Sequence, residues 1–140
     1  MQRMGKDAVD DGYLVGKKSD DFVLENDSKY LIDWEEGQKT GFFLDQRNNR
    51  DLVRKLAKGK NVLNTFCYTG GFSVTALRGG ANKVVSVDCS KKAIAACEKN
   101  ISLNGFDTIE NPSVAEDAKL FLQNMKKGEF DLIILDPPAF

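Results

Sequence analysis

The sequence predicts a doubly wound α/β sheet, and three observations predict it. From residue 49 onward, short β-branched and apolar runs alternate with stretches of helical periodicity. The connections between them are only a few residues long, as βαβ units require. Capping residues and glycine stops punctuate the alternation: Asn49 and Ser90 at helix starts, Gly59, Gly79–Gly80 and Gly105 at helix ends.

The chain divides near residue 48, into a strand-and-turn segment over 1–48 and an α/β segment over 49–140. In the first segment Tyr13–Val15 is a short apolar run. Phe22–Glu25 and Lys29–Asp33 read as the arms of a β-hairpin around Asn26, Asp27 and Ser28, residue types that tolerate positive φ. Gly37 and Gly41 bracket a turn, and Phe42–Leu44 forms another short strand. In the second segment a helix capped by Asn49 runs through Leu52, Val53 and Leu56. Asn61–Phe66 is a buried strand, Tyr68–Gly71 a tight turn and Phe72–Leu77 a short helix. Lys83–Asp88 is the next strand, and a helix from Ser90 to Leu103 places Ile94, Cys97 and Ile101 on one face. A weak strand falls near Ile109–Val114, a helix near Asp117–Met125, and the last strand at Phe130–Leu135.

The 140 residues suit one domain or one piece of a larger one. With 20 Lys+Arg against 21 Asp+Glu, no global basic field advertises a nucleic-acid partner. The apolar run at Leu132–Leu135 is far below the ~20 residues a membrane span needs. The absence of histidine excludes any His triad, His base or His metal ligand within these residues, and no metal site is expected. Three cysteines without CxxC spacing and no signal-peptide pattern read as reduced, cytosolic thiols.

In open α/β sheets ligands sit beyond the carboxyl ends of the strands. After the first such strand, Gly70–Gly71 lets the backbone approach a ligand closely, although two glycines also serve as plain punctuation. The spacing is not GxGxxG, which counts against a dinucleotide-binding oxidoreductase. Asp88 ends the second strand, roughly 20 residues after the glycines, and can accept hydrogen bonds from two ribose hydroxyls; the alternative is a charge favoured at a helix N-terminus. Glu116-Asp117 follows the third strand, where an acid can accept from an adenine amino group or simply cap the next helix. Asp136-Pro137-Pro138 is the sharpest signal. Two prolines fix φ and remove N–H donors, holding a carboxylate rigidly at a strand exit.

These motifs carry a resemblance. Asn64-Thr-Phe-Cys-Tyr-Thr-Gly-Gly-Phe72, Val85–Asp88, Asn104-Gly105 and Asp131–Phe140 resemble class I S-adenosylmethionine-dependent methyltransferases. The segment Gly37-Gln-Lys-Thr-Gly-Phe-Phe-Leu-Asp-Gln-Arg-Asn-Asn-Arg50 is similar to bacterial 23S rRNA methyltransferases that make 5-methylcytosine, or in a similar half 7-methylguanine. The resemblance implies a Rossmann-like sheet of strand order 3-2-1-4 and a cytoplasmic enzyme that uses S-adenosylmethionine on 23S rRNA, with no membrane partner. It implies that Tyr68, Thr69, Gly70 and Gly71 cradle the methionine part, with Phe66 and Cys67 beside them. Asp88 would hold ribose with Cys89 and Ser90 adjoining, and Asp117 and Ala118 would face adenine. Thr40, Phe42 and Phe43, with Asp45 and Arg47 nearby, would fold over the cofactor. Asp136 would border cofactor and target, forming with Pro137 the floor where the base enters. Asn64 stands where many class I enzymes carry an acid. Ala139 in place of an aromatic after the prolines speaks against adenine-N6 or cytosine-N4 DNA enzymes.

Full-length members also carry a PUA-type RNA-binding domain before this region, then further strands and a cysteine nucleophile after the Asp-Pro-Pro loop. The expectation is therefore a partial chain that binds cofactor weakly and is catalytically silent alone, since Cys67, Cys89 and Cys97 all precede that loop. The Phe130–Leu135 strand is expected to lie beside Asn61–Phe66 with its other edge unpaired, which invites self-association.

Overall fold

The computed structural model describes residues 22–31 and 46–138. The expected strand pieces at Tyr13–Val15 and Phe42–Leu44 lie outside the described residues, as do Thr40, Phe42 and Phe43.

A hairpin comes first, β1 (Phe22–Glu25) and β2 (Ser28–Leu31), antiparallel with Glu25 opposite Ser28. Its two-residue turn has φ of 50° at Asn26 and 69° at Asp27, the doubly left-handed turn that matches strand twist. Ser28, expected in the turn, belongs to β2. The α/β part follows as α1 (Arg47–Leu56), β3 (Asn61–Thr65), α2 (Gly71–Arg78), β4 (Lys83–Asp88), α3 (Lys91–Leu103), β5 (Ser113–Ala115), α4 (Ala118–Asn124) and β6 (Leu132–Leu135). The four strands β5-β4-β3-β6 form one parallel sheet. This is the expected 3-2-1-4 order.

The sheet is doubly wound because β3 and β4 are buried on both faces, with Val62–Thr65 and Val84–Val87 all covered. Val62 and Val84 face one side, where they pack with Val74, Ala76 and Leu77 of α2 and Ile94, Cys97 and Ile101 of α3. Tyr30 of the hairpin and Val53 of α1 join that layer. Leu63, Val85 and Val87 face the other side, against Ala118, Phe121 and Leu122 of α4. Alternation continues into β6: Leu132 and Ile134 reach the first layer, while Ile133 and Leu135 remain 41% and 60% exposed. Among the described residues β6 has β3 on one side and no strand on the other.

Among the other boundaries that differ from the sequence reading, four have a visible cause. Asn49 is not a cap: α1 starts two residues earlier, and Asn49 Nδ2 instead donates to Gln46 Oε1 at 2.7 Å from inside the first turn. β3 ends at Thr65, because Phe66 takes φ of 54° and leaves the ladder. The weak third strand is only Ser113–Ala115; Ile109 sits in a turn and is 87% exposed, held by Asp107, whose carboxylate accepts from the Ile109 N–H at 2.7 Å. β6 begins at Leu132, after Asp131 closes the sheet's lower end by accepting from and donating to Asn61.

The hairpin is tied to the helical layer by side chains that act as a substitute strand. Asn104 Oδ1 accepts from the Lys29 N–H and its Nδ2 donates to the Lys29 carbonyl, both at 2.8 Å. One turn earlier, Asn100 Oδ1 accepts from the Leu31 N–H at 2.8 Å. At the other edge Arg50, 3% exposed, meets Glu25 with two bonds of 2.7 and 3.0 Å.

Candidate functional site

The carboxyl ends of the four parallel strands bring the sequence-predicted residues into one row. In the order β5-β4-β3-β6 these ends carry Asp117, Asp88, the Phe66–Gly71 turn and Asp136. At about 4.8 Å per strand the row extends roughly 14 Å.

The turn after β3 is the most unusual backbone among the described residues. Phe66 (φ 54°), Tyr68 (φ 52°) and Gly70 (φ 87°) are all left-handed. Side chains rarely adopt such values, so other bonds must hold them. The Cys67 N–H donates to the Val87 carbonyl at 3.0 Å and the Gly70 N–H to the Cys67 carbonyl at 2.8 Å. The Tyr68 N–H donates to Asp88 Oδ2 at 3.0 Å, and Asn100 Nδ2 donates to the Thr69 carbonyl at 2.8 Å. Asn100 thereby joins the hairpin to the turn. Gly70 is the helix cap of α2, and a Cβ there would lie 2.6 Å from Cys97 Sγ.

Asp88 spans two elements. While Oδ2 takes the Tyr68 N–H, Oδ1 accepts from the Ser90 N–H at 3.0 Å, and the Asp88 carbonyl accepts from Glu116. Each carboxylate oxygen retains a lone pair for a further donor. Ser90 caps α3 through the Ala93 N–H at 3.1 Å, as the sequence predicts, and Cys89 beside it is exposed. Asp117 caps α4, accepting from Lys119 and Leu120 at 2.8 and 3.3 Å, both on Oδ1; Ala118 behind it is buried. Asp136 is exposed after β6, with Pro137 and Pro138 following, and Gln46 Nε2 donates to its Oδ2 at 3.5 Å.

Asn64 is not at the site's surface. It is 1% exposed and its Nδ2 donates to Ser73 Oγ at 2.8 Å, which lies 2.6 Å from Ser86 Oγ. Its Oδ1 has no partner among the described residues. Cys67 and Cys97 pack beneath the turn, and the Cys67 thiol is pushed far up, first by its hydrogen bond to Cys97 and then by burial. It stays protonated at neutral pH and is no nucleophile. Sequence reasoning missed Asn100 and Tyr30, and cited Asn104 only within the Asn104-Gly105 motif without a role; the roles of all three depend on where the hairpin docks. Their one local signal is the i, i+4 spacing of the two asparagines on the apolar face of α3.

Burial also pushes the Tyr30 phenol up, with its hydroxyl 3.0 Å from Thr75 Oγ1. A phenol held neutral by the fold contributes stability that is complete below the unfolded value near 10 and declines as pH rises beyond it. Absorbance titration at 295 nm should show a late component that appears only as the fold is lost, and Tyr30→Phe should abolish it. A late component that persists in Tyr30→Phe, or none in the wild type, would refute the burial argument.

A family model described as S-adenosylmethionine-dependent methyltransferase matches residues 3–140. The chain belongs to this methyltransferase family. It is 52% identical over 134 residues to the ribosomal RNA large subunit methyltransferase I of Aeromonas hydrophila, covering 92% of this chain and 34% of that protein. The chain thus spans about a third of the length of the curated relatives it matches. Among solved structures, a Streptococcus mutans protein assigned as an S-adenosylmethionine-dependent methyltransferase shares 38% identity at a TM-score of 0.76, over 84% of this chain and 32% of that one. The Pyrococcus abyssi tRNA (uracil-54, C5)-methyltransferase, solved with S-adenosyl-L-homocysteine, shares 25% identity at a TM-score of 0.66, over 88% and 29%. Among the described residues no helix is long and apolar enough to cross a membrane.

Proposed function

We propose that this chain carries the cofactor-binding half of a cytoplasmic methyltransferase that modifies 23S rRNA, with cytosine C5 as the acceptor atom. One observation carries the reading: the row Asp117, Asp88, Phe66–Gly71, Asp136 along a parallel sheet, in a chain 52% identical to a large-subunit rRNA methyltransferase. The row matches an elongated ligand with adenine beside Asp117 and Ala118, and ribose hydroxyls on Asp88 near Cys89 and Ser90. The amino-acid end would rest on the Tyr68–Gly71 backbone beside Phe66 and Cys67. Two features beneath the turn bear on that reading. Gly70 lacks the Cβ that would strike Cys97, so the turn lies close on α3 and keeps its shape, and Asn64 Oδ1, in β3 below it, is a buried acceptor without a partner among the described residues. Asp136 and Pro137 would form the floor for the target base, and Thr40, Phe42 and Phe43 would cover the cofactor.

The bound cofactor supplies an electrophilic methyl group; the chain's residues supply its orientation. Cytosine C5 is a poor nucleophile and is normally activated by a thiolate adding at C6. Cys67 and Cys97 are buried and Cys67 is protonated, while the exposed Cys89 follows β4, two strands away from Asp136 in the sheet, so these 140 residues alone should bind cofactor without transferring methyl. The similarity to a tRNA uracil-C5 enzyme supports pyrimidine C5 over guanine N7. Nucleoside mass spectrometry of 23S rRNA treated with the full-length parent protein should find 5-methylcytosine. Finding 7-methylguanosine instead would select the other base.

Asp88→Ala should weaken S-adenosylhomocysteine binding by about 1–3 kcal/mol in calorimetry, the range for an abandoned buried hydrogen-bond partner. Unchanged affinity would remove Asp88 from the ribose role. The isolated chain should also self-associate through β6, whose exposed Ile133 and Leu135 flank an unpaired edge among the described residues. Light scattering at tens of micromolar should exceed the monomer mass, and a strict monomer would refute this.

A further inference from the structure

The near-neutral net charge conceals a strong segregation. Arg47–Lys60 holds six basic residues and one acidic one, while the remaining 126 residues hold 14 and 20. Most of this segment is α1, and its ten residues run about 15 Å. The helix starts at the site end, where Gln46 touches Asp136, and leads to the lower end of β3. The hairpin, α1 and α2 border a shallow, open hollow lined by Arg50, Arg54 and Arg78 and a single carboxylate, Glu25. That carboxylate is engaged by Arg50 at 2.7 Å and Arg47 at 3.4 Å. Among the described residues the Arg54 guanidinium donates to the neutral Asn26 carbonyl at 3.3 Å, and Arg78 meets the Asn104 amide oxygen at 3.4 Å and the Phe106 ring. Among the described residues neither guanidinium has a carboxylate within ion-pair distance. Lys58 is exposed beside Gly80, at the same end of α2 as Arg78.

We propose that the face formed by Arg54, Lys58 and Arg78 is a second RNA-contact surface, binding phosphodiesters of the strand whose target base lies at Asp136. The proposal rests on the reading of the chain as an rRNA methyltransferase and extends it to a surface away from the cofactor. Guanidinium forks match phosphate oxygens bidentately, and arginines held beside neutral partners keep donors for that purpose. The contact is independent of sequence; it positions the strand and leaves base choice to the site.

The test uses the 140-residue chain and a fluorescein-labelled 20-nucleotide oligouridylate, with anisotropy read across a KCl series. The triple variant Arg54→Gln, Lys58→Gln, Arg78→Gln should bind at least tenfold more weakly at low salt. Its log–log salt slope should be shallower by about two, at roughly 0.7 per phosphate contact on single strands. The matched triple Lys119→Gln, Lys126→Gln, Lys127→Gln, on and after α4 across the sheet, should bind as the wild type does. S-adenosylhomocysteine affinity, read separately, should be the same in all three proteins. If the cofactor analogue fails to bind but the RNA result holds, the methyltransferase reading falls and the basic surface stands. Equal loss in both triples, no loss in the first, or binding of anionic phospholipid vesicles in place of RNA would overturn the proposal. Should the first triple lose its circular dichroism spectrum, Lys58→Gln and Arg78→Gln singly should each weaken RNA binding about threefold, and no effect from either would overturn it.

Discussion

Arg50→Ala is expected to destabilise the protein by about 3–5 kcal/mol, against a typical margin of about 5–15 kcal/mol. The size follows from what is left behind. Glu25 is 9% exposed on its side chain and Arg50 4%, so removing the guanidinium strands a carboxylate that water cannot reach easily. Arg47 stands 3.4 Å away but is 66% exposed and offers a weaker, screened partner. Because Glu25 ends β1, the loss should first free the hairpin from α1. Urea denaturation of the variant should show the shift in midpoint. Replacing both partners together, Glu25→Leu with Arg50→Met, should recover most of it, since an apolar pair of similar volume avoids the stranded charge. A single variant with wild-type stability would show that the ion pair does not anchor the hairpin.

Gly70→Ala is expected to abolish cofactor binding while costing about 1–3 kcal/mol of stability, the range for a strained backbone position. Two effects coincide at this residue. A φ of 87° is one that a side chain resists, and the added methyl would lie 2.6 Å from Cys97 Sγ and 3.3 Å from its Cα. Cys97 is 0% exposed and cannot swing aside, so the turn must lift. Lifting it breaks the Tyr68 bond to Asp88 and the Thr69 bond from Asn100, which are what hold the cofactor row in line. Adding Cys97→Ala should restore part of the stability by removing the steric conflict and leave the φ penalty in place. Calorimetry with S-adenosylhomocysteine, and denaturation of the single and double variants, would separate the two. Full affinity in the single variant would mean the turn is not the cradle.

The alternation of strands and helices, the Ser90 cap and the strand-end positions of Asp88, Gly70 and Asp136 were legible in the sequence because each depends on local pattern, whereas the sheet order came only from the family resemblance. Buried parallel strands read as continuous apolar runs, and caps and glycine stops act within one turn. What was not legible depends on tertiary approach. Asn100 looks like an ordinary helix residue and Asn104 like a plain helix end until the hairpin docks its backbone against them. Asn49 is a capping residue by type, but α1 starts at Arg47 with Gln46 in the cap position. Phe66 reads as a strand residue by type, yet takes a left-handed φ that the bonds around Asp88 impose. The whole-chain charge of −1 hid the basic helix, since acids elsewhere cancel it in the sum while leaving it intact in space.

Central to the account is a cofactor lying along the row at the carboxyl ends of β3, β4 and β5. The most direct measurement is an amide NMR titration of the labelled chain with S-adenosylhomocysteine, and in parallel with NAD. Saturable shifts confined to Tyr68–Gly71, Asp88–Ser90 and Asp117–Ala118, and absent with NAD, are the expected result. Equal response to NAD, or shifts that avoid those three strand ends, would contradict it.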